Sequence, residues 1–396
     1  MAFLSPVHSH YERLRNEARA ASRSHLLPTS LEEWKEQVAL LRQTLKDRLH
    51  LPKADSPPEL ETHGEIQMTG YRIQRVSFLS APDICVTGNL YIPDGEGKFS
   101  AVLNMHGHWR QGKIAAKIQA RGHLLALHGI VTLSVDAAGA GERGDEERVW
   151  QYHGAAKAGE LFLSGDSLLG FQVRDNIRAL DVLASLPFVN PDKIGVTGAS
   201  GGGNQATWLS AIDERVKVAV PVSSMGSFEA YVTRRNCMCE TLPGGLSFAE
   251  QWHLLGAIAP RPLLVLNARY DQPAFGTEAL EFTCRHAEHI YDLYGAAKHF
   301  DWQALEMEHG FNPPALEAML GWMRHYLCDA PSAEPLPLPE WTTLPEEELL
   351  CFEKGKRPQA CSYAANRQTI STSLGASSNT ADPSELASII GWQESG

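Results

Sequence analysis

The chain has 396 residues, 43% of them hydrophobic and 21% charged, with a formal net charge of −12. That length suits one large α/β domain with extensions, or two domains, and the acidic balance argues against a nucleic-acid or anionic-membrane partner. Seven cysteines, an odd number scattered over a long chain, do not read as a disulfide framework, and no apolar run is long enough to span a bilayer.

Met1 to His8 carries neither a basic n-region nor an apolar h-region, so no secretory signal is expected and the expected location is cytoplasmic. Residues 8–25, rich in Arg, Glu and Ala, read as a polar helix. A second helix opens at Ser30, which fits a capping box with Glu33. Its apolar stripe of Trp34, Val38, Leu41 and Leu45 needs a cover. Packing on the chain's own domain is the expectation; a neighbouring subunit, giving a homo-oligomer through the N-terminal helices, is the alternative. Residues 1–63 are thus a helical extension and linker.

From residue 64 the period changes to two. Ile66 to Phe78 and Cys85 to Ile92 read as two leading antiparallel strands. Short apolar strands then alternate with helices. Ala101–Met105 ends at His106-Gly107-His108-Trp109, Gly129–Val135 at Asp136, Lys193–Ala199 at Ser200, Pro262–Leu266 just before Asp271, and Trp302–Met307 before His309. Such alternation predicts a mostly parallel sheet with helices on both faces and every landmark on one sheet edge, where open α/β sheets bind ligands. The catalytic domain is expected over 64–330, with insertions at 137–166 and 224–258. Residues 331–396, Pro/Glu-rich and then Ser/Ala/Thr-rich, are expected to form a poorly ordered extension.

The chemistry centres on Gly198-x-Ser200-x-Gly202, between a predicted strand and a predicted helix. A serine on so tight a turn is pushed out above the sheet, and its neighbours two residues away must be small. The following helix aims its N-terminus at the serine and favours an oxyanion there. Acyl transfer also needs a base, an orienter and oxyanion donors. Ser200, Asp271 and His309 occur in the order nucleophile, acid, base, each past a strand end. Asp301 and Glu308 are rival carboxylates, and Asp271 is preferred because an immediate neighbour of His309 seldom faces its Nδ1. The oxyanion donors are expected to be the backbone N–H groups of Gly201 and His108. Cys237-x-Cys239 is narrower than usual zinc spacing and lacks a second ligand pair in sequence, so neither metal nor cofactor is expected. Asp136, Glu142 and Arg143 read as a structural ion cluster slightly ahead of substrate contacts. Trp109, Tyr152, Trp252, Tyr270 and Phe311 are candidate pocket aromatics.

With these residues in view the chain resembles the α/β-hydrolase superfamily, and within it the branch of acetyl xylan esterases and cephalosporin deacetylases. The resemblance spans about residues 64–328 and rests on six pieces. They are His106-Gly107-His108, Asp136-x-x-Gly139-x-Gly141, the Asp175 helix leading into Pro191-Asp192-Lys193-Ile194-Gly195, the Gly-Ala-Ser-Gly-Gly turn, Asp271, and His309-Gly310. Gly201 stands where the branch often carries Gln. The resemblance implies an α/β-hydrolase fold and a carboxylic ester hydrolase working through an acyl-enzyme on a small-molecule ester. A short-acyl preference is expected if Trp150, Tyr152, Phe162, Phe228, Tyr231 and Trp252 of the two insertions wall a narrow pocket. A glucuronoyl-esterase-like hydrolase is the alternative. A peptidase-like hydrolase is disfavoured by the short stretch before the first strand, and a non-catalytic binding protein by the complete triad.

Overall fold

The computed structural model describes residues 6–51, 56–144, 156–234, 236–353, 355–366 and 369. Its centre is a nine-stranded sheet in the order β1-β2-β3-β5-β4-β6-β7-β8-β9. The strands are β1 (Glu61–Met68), β2 (Tyr71–Ala81), β3 (Ile84–Pro93), β4 (Phe99–Met105), β5 (Ile130–Val135), β6 (Val189–Ala199), β7 (Val216–Val222), β8 (Leu263–Ala268) and β9 (Phe300–Leu305). Pairing from β1 to β3, and of β3 with β5, is antiparallel; from β5 through β4 to β9 it is parallel. The leading antiparallel section holds three strands, not two. Thr69 and Gly70 close a hairpin inside the stretch read as one strand, and Gly70 takes a φ of +87° that suits glycine.

The helices are α1 (Pro6–Ser24), α2 (Leu31–Arg48), α3 (Ala116–Leu127), α4 (Ala156–Leu163), α5 (Leu168–Ser185), α6 (Gly201–Ile212), α7 (Phe228–Thr233), α8 (Gln251–Ile258), α9 (Thr277–Leu293) and α10 (Pro313–Cys328). Apolar residues of α2, α5, α6, α8 and α9 form one core with Ala101, Leu103 and Met105 of β4. Residues of α3 and α10 form a second core with Val102 of β4 and Val218, Val220 and Val222 of β7. The parallel strands are therefore apolar on both faces because both faces are covered. Among the described residues no helix is long and apolar enough to cross a membrane.

The stripe of α2 is used up within the chain. Trp34, Val38, Leu41 and Leu45 are buried in the first core, and Trp34 lies 6.1 Å from Trp252 between ring centroids. Ser30 caps the helix, its hydroxyl accepting from Glu33 N–H at 3.2 Å, while Glu33 reaches back to the Thr29 hydroxyl at 2.9 Å. The first helix lies on the second insertion: Tyr11 donates to the Thr233 carbonyl at 2.7 Å and Ser22 to Glu250 at 2.7 Å.

The C-terminal stretch departs from expectation. Ala333, Leu336, Leu338 and Trp341 pack on the α10 side, and from Leu344 to residue 366 the chain packs along the antiparallel end of the sheet, with Leu349, Cys361 and Tyr363 fully buried. Asn89 donates to the Leu349 carbonyl at 3.0 Å, and Cys351 N–H donates to Glu142 at 2.9 Å. Scattered anchors, each fitting a gap in the domain, tie down a segment whose average composition is polar. Residues 370–396 lie outside the described residues.

Candidate active site

Ser200 sits between β6 and α6 with φ +57° and ψ −127°, a left-handed backbone position costly for a side chain with Cβ. The crowding that the small neighbours relieve is severe. A Cβ on Gly198 would lie 2.5 Å from the Gly202 carbonyl, and one on Gly202 would lie 2.4 Å from the Met105 carbonyl. The strand, the helix and the end of β4 therefore touch backbone to backbone at this turn.

The loop after β4 backs onto the same turn. A Cβ on Gly107 would lie 2.6 Å from the Ala199 carbonyl and 3.3 Å from the Gly201 nitrogen. His106 is buried below it and accepts from Ala137 N–H at 3.0 Å, which joins this loop to the end of β5. Gly201 N–H is the first donor of α6, where no intrahelical acceptor exists. Gly201 and His108 thus flank the serine hydroxyl. The His108 side chain also comes to the serine, with Nδ1 3.4 Å from Ser200 Oγ.

On the other side, Asp271 follows β8 and His309 follows β9. The Asp271 carboxylate is fully buried, and its Oδ1 accepts from His309 Nδ1 at 2.7 Å and from Gln272 N–H at 2.7 Å. An ionised carboxylate only accepts, so Nδ1 carries the imidazole proton and Nε2 is left as the basic atom. Phe275 stacks against the imidazole at 5.9 Å, with an interplanar angle of 11°. Gly310 N–H donates to Ser223 Oγ at 3.2 Å, which fastens the histidine loop to the end of β7. The rival carboxylates point elsewhere: Asp301 accepts from Trp302 N–H and Gln303 on its own strand, and Glu308 is exposed.

Ser200, Asp271 and His309 all line one cavity of about 830 Å³. Among the described residues no hydrogen bond joins Ser200 to His309; the serine hydroxyl is turned toward His108. A single χ1 rotation of Ser200 re-aims that hydroxyl.

Three groups in the cavity were not singled out as chemical groups from sequence. Arg121 lines it, buried, donating to Asn104 Oδ1 at 2.5 Å and lying 4.8 Å from the centre of the Phe311 ring. Burial pulls its pKa down to about 9, and among the described residues no carboxylate is paired with it. Glu240 lines the cavity at 1% exposure; burial, then the Cys237 thiol beside it, push its carboxyl well above the usual range. The third is the His108 side chain, expected only for its backbone. It meets the cysteine pair, with Nε2 3.1 Å from Cys239 Sγ, which is itself 3.1 Å from Cys237 Sγ. A further potential ligand therefore does stand beside the pair, brought there from 131 residues away in the chain.

Other candidates resolve into packing. Asp136 is fully buried and accepts from Lys113 Nζ at 2.8 Å, from Thr87 at 2.7 Å and from Lys113 N–H at 2.8 Å; Lys113 also meets Glu142 at 2.5 Å. Arg143 pairs with Asp175 at 2.7 Å. This cluster braces the end of β5 and does not line the cavity. Of the candidate aromatics, Trp109 and Phe311 line the cavity, Trp252 is buried against Trp34, and Tyr270 is 69% exposed. The aromatics expected to wall the pocket instead fasten the second insertion down: Phe228 stacks on Trp208 at 5.9 Å, and Tyr231 donates to the Ser224 carbonyl at 2.5 Å. The insertion offers the cavity Asn236, Cys237 and Glu240. Trp150 and Tyr152 lie outside the described residues.

Comparison with known proteins agrees with this architecture. The Bacillus subtilis (strain 168) protein YtaP, provisionally named a hydrolase, is 29% identical over 220 residues, covering 51% of this chain and 70% of YtaP. Methylesterase BT1017 superposes with a TM-score of 0.66 at 22% identity, over 87% of this chain and 74% of that one. A Bacteroides fragilis NCTC 9343 protein provisionally named an acetyl xylan esterase gives a TM-score of 0.62 at 19% identity, over 77% and 83% of the two chains. At those identities the two structures speak for the fold. The sequence profile of the Abhydrolase family matches residues 5–221, more than half of the chain. The chain belongs to the Abhydrolase family and has the α/β-hydrolase fold.

Proposed function

We propose that the protein is a serine carboxylic ester hydrolase, with Ser200 as nucleophile, His309 as general base and Asp271 as its orienter. The observation that carries this reading is the strained serine turn and the bonded His309–Asp271 pair opening into one cavity. Ser200 Oγ attacks the ester carbonyl while His309 Nε2 takes its proton. The tetrahedral oxyanion is held by the N–H groups of Gly201 and His108 at the positive end of α6. Collapse expels the alcohol, to which His309 returns the proton, and water then hydrolyses the acyl-enzyme by the same steps. His108 is the other imidazole near the serine, but its far nitrogen faces the Cys239 thiol, whereas His309 Nδ1 is bonded to the Asp271 carboxylate, which stabilises the imidazolium.

The cavity sets polar groups among apolar walls. Asn236, Glu240 and Arg121 face it and can orient a polar substrate, beside Trp109, Ile118 and Phe311. A short acyl group on a carbohydrate alcohol suits this space. Arg121, a cation at the cavity wall, favours a second reading, in which a sugar acid is the acyl part, as in glucuronoyl esters. Comparing kcat/KM for nitrophenyl acetate, butyrate and octanoate, for acetylated sugars and for a glucuronate ester tests both. Hydrolysis fastest on octanoate would overturn the short-acyl reading, and no hydrolysis of any ester would overturn the esterase reading.

A further inference from the structure

The donor atoms of His108, Cys237 and Cys239 all lie within 4.8 Å of one another. Neither sulfur is in a disulfide; Cys237 caps a tight 3-10 turn at Met238–Glu240, and Cys239 lies within it. We propose that these three side chains form a binding site for a thiophilic divalent cation, with Zn²⁺ as the reference ion, held by His108 Nε2, Cys237 Sγ and Cys239 Sγ.

The donor set is the first argument. Two thiolates and one imidazole suit a borderline-soft d¹⁰ ion, and three protein ligands leave a fourth position for water or another group. Distance is the second. A tetrahedral site with Zn–S near 2.3 Å and Zn–N near 2.0 Å needs sulfur–sulfur and sulfur–nitrogen separations of about 3.8 and about 3.5 Å. The observed 3.1 Å contacts reach that geometry by opening about 0.7 Å between the sulfurs and about 0.4 Å between sulfur and nitrogen, which rotations of the cysteine side chains supply. Access is the third: His108 and Cys237 line the cavity, which gives the ion a path. Glu240, buried and lining the same cavity, is not one of the three ligands. Loading the site releases the two thiol protons to solvent as the two metal–sulfur bonds form.

The site also touches the nucleophile. With Nε2 on the metal, the neutral His108 ring must carry its proton on Nδ1, the atom 3.4 Å from Ser200 Oγ. That N–H then donates to the serine oxygen, holding it away from His309 and lowering its nucleophilicity. Metal binding therefore slows ester hydrolysis. This consequence rests on the proposed role of Ser200; the site does not.

The test uses the full-length chain kept reduced by a phosphine and titrated with Co²⁺. The expected result is a thiolate-to-cobalt charge-transfer band saturating at one equivalent and displaced by Zn²⁺. Affinity falls at least tenfold in Cys237→Ser and in Cys239→Ser. Independently of folding in the variants, Zn²⁺ should slow alkylation of Cys237 in the wild type, read by mass spectrometry, and leave Cys328 unchanged. No band, or a band and protection that survive both substitutions, would overturn the site. A band that fills while ester hydrolysis stays constant would overturn its effect on Ser200. Absence of all ester hydrolysis would instead refute the proposed function, and the band would still decide the site.

Discussion

Gly202 and Gly201 are adjacent in α6, yet an added methyl group should have opposite consequences at the two. At Gly202 the new Cβ would stand 2.4 Å from the Met105 carbonyl oxygen and 2.8 Å from the carbonyl carbons of Met105 and His106. All three are backbone atoms at the end of β4, and β4 is paired on both sides, so they cannot withdraw without breaking the sheet. Overpacking against rigid groups costs about 1–3 kcal/mol and sometimes more, and the upper end applies here. At about 2 °C per kcal/mol for a chain of this size, Gly202→Ala should lower Tm by about 6 °C. It should also displace the His106–His108 loop, and with it one oxyanion donor, lowering kcat by about 10²-fold or more. At Gly201 the nearest atom is His108 Cε1 at 3.3 Å, on a side chain able to shift by a few tenths of an ångström. A helical Gly→Ala change gains up to about 1 kcal/mol, so Gly201→Ala should stay within about 2 °C of the wild type. Thermal unfolding followed by circular dichroism, with ester hydrolysis on the same samples, checks both. A Gly202→Ala protein as stable and active as Gly201→Ala would refute the backbone-contact argument.

Asp271→Asn should leave the fold intact and lower kcat by about 10³-fold or more, because an amide no longer fixes the His309 tautomer or stabilises its imidazolium; near-wild-type turnover on nitrophenyl acetate would count against the orienter role. Burial holds His253 at a pKa of about 3 and His123 at about 4, both below the ordinary 6.5. Below about pH 6.5 the unfolded chain takes up protons at these sites that the folded chain refuses, so stability present above that pH is lost as pH falls. Each contributes a slope of about 1.4 kcal/mol per pH unit down to its folded pKa. Urea unfolding at pH 5, 6 and 7 should show the wild type weakening more steeply than His253→Gln; equal slopes would contradict it.

The parts of this molecule set by local pattern were legible in the sequence. The serine turn, Asp271 and His309 stand at the ends of short apolar strands, and in a parallel sheet all such ends share one edge. The hairpin at Gly70 was not legible, because Ile66 to Phe78 keeps a period of two on either side of a two-residue turn. The strap from residue 331 to 366 was missed because Leu349, Cys361 and Tyr363 are isolated anchors, and isolated anchors leave no periodicity. Aromatic content misled for the second insertion, since Phe228, Tyr231 and Trp252 are large enough either to wall a pocket or to pack a loop, and burial settles it. The meeting of His108 with Cys239 is a tertiary event between residues 131 apart, which spacing alone does not encode.

The central claim is that Ser200 is an activated nucleophile, and intact-protein mass spectrometry after treatment with an active-site-directed fluorophosphonate tests it most directly. The account expects one adduct per chain, mapped by peptide digestion to Ser200, with labelling slowed by Asp271→Asn and absent in Ser200→Ala. An unlabelled wild type, or a Ser200→Ala protein labelled as fast as the wild type, would contradict it.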